Sequence, residues 1–154
     1  MARQIASRSV LLGFIYEVFS RAPSFEELLM NIDKDALIPY STNQDKFAFK
    51  VHGIGRKIKD KESVSLIEEF GKLDLPWSGK VDLKNPDNTY HVIENCHFIP
   101  LGEEKMKKEF IFAREVATSY DGKGNKITAK YLLRDRKYIG PTSTDCELSF
   151  LMAN

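Results

Sequence analysis

The chain has 154 residues, 42% of them hydrophobic and 11% aromatic, which is enough to bury the core of one domain or two small lobes and excludes a disordered tail. Its 23 Lys plus Arg stand against 22 Asp plus Glu for a net charge of +1, so no molecule-wide field attracts a polyanion and any nucleic-acid surface must come from local clustering. The longest apolar run, residues 10–19, is broken by Gly13 and Glu17 and falls far short of the roughly 18 apolar residues of a membrane span.

The opening Met-Ala-Arg-Gln lacks the charged, apolar, small order of a secretory signal, so a soluble cytoplasmic protein without a membrane partner is expected. Residues 10–19 are rich in β-branched and aromatic types and read as a buried strand. After the stop at Arg21-Ala22-Pro23, the spacing Ser24-x-x-Glu27 is that of a capping box, and a helix is predicted from there to about Asp33. Phe25, Leu28, Leu29 and Ile32 would form its buried face.

Residues 46–53 alternate Phe47, Phe49 and Val51 with Lys46, Ala48, Lys50 and His52, the pattern of a half-buried strand with lysines on its open face. Val64, Leu66, Ile67 and Phe70 return to helical spacing, with Gly71 as a stop. Val81-Asp82-Leu83 and a turn over 84–88 lead to a strand over 89–95. Residues 101–109 are charged and read as an exposed loop, 110–118 as another strand, and 121–125 as an open turn. Residues 127–133 fit helix and strand equally. Thr144-x-x-Glu147 repeats the capping-box spacing and starts a last helix of about ten residues, too short to hold without a surface to pack on. Strands alternating with capped helices indicate a mixed α/β fold.

Chemical motifs are few. Cys96 and Cys146 stand fifty positions apart with no ligand-spaced partner and read as reduced thiols. His52 and His91 fall inside predicted strands, and His97 follows Cys96; adjacent strand residues point to opposite faces, so that pair does not make a metal site. Gly53-Ile54-Gly55 lacks the third glycine of a dinucleotide loop and reads as a turn leaving a strand. Neither a P-loop nor a nucleophile elbow is present.

Charge is distributed unevenly. Residues 46–61 hold six basic side chains against one acid, residues 110–154 hold seven against five, and the remainder holds ten against sixteen. Basic groups near phosphates release counterions and give salt-sensitive binding. The same clusters also fit plain solvated faces. Tyr131 and Tyr138 interleave with Arg134, Arg136 and Lys137, which suits base stacking, although aromatic residues in such positions commonly pack inward. On charge and expected exposure, the candidate phosphate contacts are Lys46, Lys50, Arg56, Lys57, Lys84, Arg134, Arg136 and Lys137.

Two motifs resemble a known family. Val81-Asp82-Leu83-Lys84-Asn85-Pro86-Asp87 followed by a strand is similar to the core signature of THUMP domains, tRNA-binding modules found beside RNA-modifying catalytic domains. Residues 136–145 running into Leu148-Ser149-Phe150-Leu151-Met152-Ala153-Asn154 resemble the linker and first helix of eukaryotic tRNA (guanine-10)-N2-methyltransferase catalytic subunits. Arg8-Ser9-Val10 and Ser24-Phe25-Glu26-Glu27-Leu28 are similar to the same family.

The resemblance implies an α/β chain of α+β type: a remnant of an N-terminal ferredoxin-like lobe over 1–22, a THUMP-like domain over 23–135, and over 136–154 a linker and the first helix of a methyltransferase domain. It implies a fragment or short isoform that binds the acceptor end of tRNA and presents guanosine 10 to a catalytic domain outside these residues. The family's Asp-Pro-Phe-x-Gly-Thr-Gly loop and Asp-Pro-Pro-Tyr motif do not occur, so no catalytic, cofactor or metal residue is carried over. S-adenosylmethionine is the family's cofactor, with none expected on this chain in isolation. The family's small zinc-binding activator is expected only with the full-length protein. The alternatives are a scaffold fragment without activity and a transferase subunit completed by another polypeptide.

Overall fold

The computed structural model describes residues 1–41, 44–75, 77–97, 107–121 and 124–153. Among these described residues, five helices and four strands follow in the order α1 (Ala2–Arg8), β1 (Phe14–Ala22), α2 (Phe25–Met30), α3 (Lys34–Ser41), β2 (Phe47–Ile54), α4 (Asp60–Gly71), β3 (Asn88–His97), β4 (Lys107–Thr118), two short 3-10 turns at Ile127–Tyr131 and Leu133–Asp135, and α5 (Cys146–Ala153). The strands form one mixed sheet in the order β1-β4-β3-β2, so the fold is α/β as expected. Among the described residues no helix is long and apolar enough to cross a membrane.

The chain divides into two compact units: Glu17–Glu115, and the paired segments Met1–Tyr16 and Val116–Asn154. In the first, β2 and β3 run parallel, with Phe47 opposite Asn88 and Ile54 opposite Asn95. Parallel neighbours require a long crossover, and α4 occupies it. β3 and β4 are antiparallel, with Tyr90 opposite Arg114 and His97 opposite Lys107.

Strand alternation sends Tyr90 and Val92 of β3, Phe110 and Phe112 of β4, and Phe47, Phe49 and Val51 of β2 to one face of the sheet. Leu28 of α2, Leu37 of α3 and Phe70 of α4 pack there, with Phe19, Ala22, Ile32 and Leu75. Phe49, Phe70, Tyr90 and Phe112 meet ring to ring at centroid separations of 4.7–6.1 Å, contacts that add to what burial itself contributes. The other face carries Ala48, Lys50 and His52 of β2, His91 and Ile93 of β3, and Ala113 and Glu115 of β4; Ala48, His91, Ile93 and Ala113 are buried.

Several elements differ from the sequence reading. β1 begins at Phe14, not at residue 10, and runs on to Ala22. The four residues before it form a turn: Ser9 Oγ accepts from Leu12 N (3.0 Å), and Gly13 O accepts from Ser119 N (3.0 Å) and Thr118 Oγ (3.1 Å). Ser24 does cap α2, taking Glu27 N at 3.2 Å, but α2 ends at Met30. A separate helix follows, capped by Asp33 Oδ1 on Ala36 N (3.0 Å) and containing Pro39.

The loop expected over 101–109 falls partly outside the described residues. Its last three residues belong to β4, because Lys107, Lys108 and Glu109 continue the ladder against His97, Cys96 and Asn95. Ala48, expected on an open face, is buried.

The second unit is built from α1, the ends of β1 and β4, the 3-10 turns and α5. The segment over 127–133 is neither α-helix nor strand: Ile127–Tyr131 form one 3-10 turn and Leu133 begins a second. Asp145, not Thr144, caps α5, its Oδ1 accepting from Glu147 N (2.8 Å) and Leu148 N (3.4 Å). α5 buries Cys146 and sets Phe150 edge-on against Tyr131 at 5.1 Å, while Leu148, Leu151 and Met152 stay exposed.

Candidate nucleic-acid interface

Asp82 organises one end of the edge strand β2. Its Oδ1 accepts from Lys84 N (2.9 Å) and Asn85 N (3.0 Å), while Oδ2 lies 3.1 Å from Lys46 Nζ. Those two backbone donors first, and Lys46 after them, hold the Asp82 carboxyl below the usual range, as hydrogen bonds to a charged form must. The amide of Lys46 is fixed in turn by Asp87 Oδ2 (2.8 Å). This aspartate-centred turn brings Lys46 and Lys84 together.

Lys50 stands exposed midway along β2, and Arg56 and Lys57 lie past its far end. Eight strand residues extend about 26 Å at ~3.3 Å each. That exceeds the ~8–10 Å screening length of physiological salt, so the two ends of β2 act on different phosphates.

Arg56 is engaged within the protein. Its Nε donates to Glu94 Oε1 (2.9 Å) and its Nη1 to Glu62 Oε2 (3.1 Å), and Nη2 contacts both carboxylates. Glu94 is buried and also takes Lys108 Nζ at 2.7 Å. Burial alone would push the Glu94 carboxyl up, but the bonds from Arg56 and Lys108 outweigh it and hold the group below its ordinary value. The guanidinium is raised correspondingly, first by Glu62 and then by Glu94. Lys57, its neighbour, is exposed.

In the second unit Arg134, Arg136 and Lys137 are all exposed. Arg134 lies 3.6 Å from Asp135, and Arg136 donates to Thr144 O at 3.5 Å. Tyr131 and Tyr138 do not pack inward: they keep 52% and 81% of their surface. Tyr131 and Phe150 wall a cavity of about 360 Å³ also lined by Leu132, Cys146 and Arg136.

Two polar clusters had little signal in the sequence. Arg114 of β4 donates to Glu17 Oε2 through Nε (3.1 Å) and Nη2 (2.8 Å), reaches Asn88 Oδ1 (3.3 Å), and lies 3.6 Å from the Tyr40 ring centre. On the opposite face of the sheet, His52 Nε2 is 2.9 Å from His91 Nδ1, the rings stack at 5.0 Å, and His91 Nε2 is 3.1 Å from Glu115 Oε2. The alternation around His52 placed it on a strand, but joining it to His91 takes the parallel register of β2 and β3. Cys96 and Cys146 are buried free thiols. Among the described residues no group of His, Cys, Asp or Glu could hold a metal ion.

A four-stranded mixed sheet, helices over one face, and basic side chains spread along and beyond its edge strand define a small α/β domain with a basic edge. The family model of the Tmrp11 THUMP N-terminal domain matches residues 1–121, and the chain belongs to that family. It is similar to the tRNA (guanine(10)-N(2))-methyltransferase TRMT11 of Gallus gallus, 31% identical over 159 residues that cover 100% of this chain and 33% of the relative. The Homo sapiens TRMT11 is 30% identical over the same coverage, and the tRNA (guanine(10)-N(2))-methyltransferase of Saccharomyces cerevisiae is 28% identical, covering 99% of this chain and 35% of the relative. The chain thus spans about a third of the length of the curated relatives it matches.

Proposed function

We propose that this chain is the tRNA-binding part of a tRNA guanine-10 N2-methyltransferase. It engages the acceptor end of tRNA so that guanosine 10 reaches a catalytic part that these residues do not include, with S-adenosylmethionine as methyl donor there. The observation that carries this reading is the THUMP family match over residues 1–121, joined to similarity along the whole chain with enzymes named for that reaction. The exposed cations Lys50, Lys57 and Lys84 of one unit and Arg134, Arg136 and Lys137 of the other supply sequence-independent phosphate contacts. Lys46 and Arg56 join them by exchanging or sharing the carboxylates that now hold them.

Within this reading, residues 23–135 form the THUMP-like domain, 1–22 are the remnant of a ferredoxin-like lobe whose last strand, β1, joins the sheet of that domain, and 136–154 lead into the catalytic part. That part, not this chain, recruits the small zinc-binding activator, and the site of action is the cytoplasm. The test is a titration of this chain with intact tRNA and with tRNA lacking its 3′ end, each at two salt concentrations. Weaker binding of the shortened tRNA and a steep salt dependence are expected. Equal affinity for both would overturn acceptor-end engagement, and no binding to either would overturn the RNA-binding role.

A further inference from the structure

We propose that Lys50 and His52 together form a phosphate-binding position for RNA on the sheet face away from α2, α3 and α4, and that occupation of this position draws a proton from solvent onto Nδ1 of His52. The proposal rests on the RNA-binding reading above and adds to it a particular site with a proton linkage.

Lys50 and His52 are two residues apart on β2, so their side chains leave the same face about 7 Å apart. Lys50 is exposed and His52 half-buried. Behind His52 the hydrogen-bond chain fixes which ring nitrogens carry protons. Glu115 is held below the usual carboxylate range, by its bond from His91 first, so it is ionised at neutral pH and only accepts. His91 Nε2 therefore bears the hydrogen of the 3.1 Å contact, and a neutral His91 has a bare Nδ1. That nitrogen accepts from His52 Nε2 across 2.9 Å. The open lone pair of His52 is then on Nδ1, for which no partner is described.

A proton arriving at Nδ1 fills that position and breaks neither bond of the chain. The imidazolium keeps donating from Nε2 to His91, and the Glu115 carboxylate at the end of the chain offsets the new charge. Among the described residues, the titratable or charged groups acting on His52 are His91 on β3, Glu115 on β4 and Lys50 on β2 itself. Burial, His91 and Lys50 lower its pKa and Glu115 raises it, with a net shift downward. A phosphodiester at Lys50 neutralises the repelling ammonium and attracts the imidazolium, so binding favours the protonated ring. The phosphodiester is ionised throughout and gives up no proton; the single proton comes from solvent. Linkage then makes RNA affinity rise as pH falls.

The experiment measures tRNA affinity of the full chain at fixed ionic strength between pH 8 and pH 5.5, alongside the ring resonances of His52 in NMR with and without tRNA. Affinity should tighten by roughly three- to tenfold for one added phosphate contact, and His52 should titrate at higher pH when tRNA is bound. His52→Gln should lose the pH-dependent gain. Lys50→Ala should weaken binding at every pH and raise the pKa of His52 in the free chain. A pH-independent affinity, a gain that survives in His52→Gln, or a His52 titration unmoved by tRNA would each overturn the proposal while leaving RNA binding intact. Failure of tRNA to bind at any pH would overturn the RNA-binding reading and this site with it.

Discussion

Glu94 and Arg56 sit 38 positions apart in the chain and are joined by a two-pronged ion pair, with Nε to Oε1 at 2.9 Å, around a carboxylate that is 1% exposed. The pair ties the turn leaving β2 to the middle of β3. A buried carboxylate with two cationic partners owes its place to those partners, so Glu94→Gln, which keeps the shape and loses the charge, should cost about 2 kcal/mol. In a chain of this size that lowers the melting temperature by about 4–8 °C. Calorimetric melts of the two proteins check this, and an unchanged midpoint would show that Glu94 contributes nothing through Arg56.

Acid should weaken the fold in two stages. Glu62, Asp82, Glu94 and Glu115 all have carboxyls held below their ordinary values, by Arg56, by backbone amides with Lys46, by Arg56 and Lys108, and by His91 in that order. Each is depressed on folding, so the unfolded chain binds more protons between the two values. The stability they supply is complete above the ordinary 4.5 of a glutamate and is lost as pH falls through the folded values. His52 is also lowered on folding, from an ordinary 6.5, so its contribution begins to drain at a higher pH. Urea midpoints should be flat above neutrality, decline shallowly below about pH 6.5, and fall steeply below about pH 4.5. His52→Gln should remove the shallow stage alone.

Much of the architecture is legible in short-range pattern. β2 shows a period of two through Phe47, Phe49 and Val51, α4 a helical period ending on buried Phe70, and α2 the hydroxyl cap of Ser24. Where the reading slipped, a non-local partner decided. The apolar residues before Phe14 look like strand, yet Gly13 O is taken by Ser119 and Thr118 more than 100 positions later. α3, which no expectation covered, is capped by Asp33 and holds Pro39 in its interior, where a proline ordinarily argues against a helix.

The candidate site was legible as charge and not as geometry. Arg56 and Lys57 look alike in sequence, and only the fold reveals that one of them meets Glu62 and Glu94. For the same reason His52 and His91 read as two separate strand residues until the parallel pairing of β2 with β3 puts their rings in contact.

Arg114 offers a test of a different kind, because its guanidinium joins three elements at once. It is bonded to Glu17 of β1, reaches Asn88 of β3, and lies over Tyr40 of α3. Arg114→Met preserves much of the stem's packing and removes the charge. It leaves Glu17, 39% exposed, with water in place of its cation. A loss of about 2–3 kcal/mol is expected from the charged hydrogen bonds and the ring contact. Tyr40→Leu should cost less than Arg114→Met and should couple to it in a double-mutant cycle. Strict additivity would mean that the ring contact is incidental.

Gly55 and Gly124 both have positive φ, +85° and +79°, so an alanine at either is strained by about 1 kcal/mol or more. They differ in surroundings. A Cβ at Gly124 meets nothing within 4 Å, whereas one at Gly55 would lie 2.5 Å from Cys96 O and 3.3 Å from Cys96 Cβ. The obstructing atom at Gly55 is backbone of β3 and has no rotamer to change, so the turn leaving β2 must move away from the sheet. That turn carries Arg56, whose grip on Glu94 depends on the close approach. Gly124→Ala should therefore cost about 1 kcal/mol and Gly55→Ala at least about 3 kcal/mol, the excess being steric clash plus a loosened ion pair. Urea unfolding of the two variants measures the difference. In the Glu94→Gln background the part due to the ion pair should vanish and the steric part remain, so an excess unchanged by that background would assign all of it to the clash with Cys96.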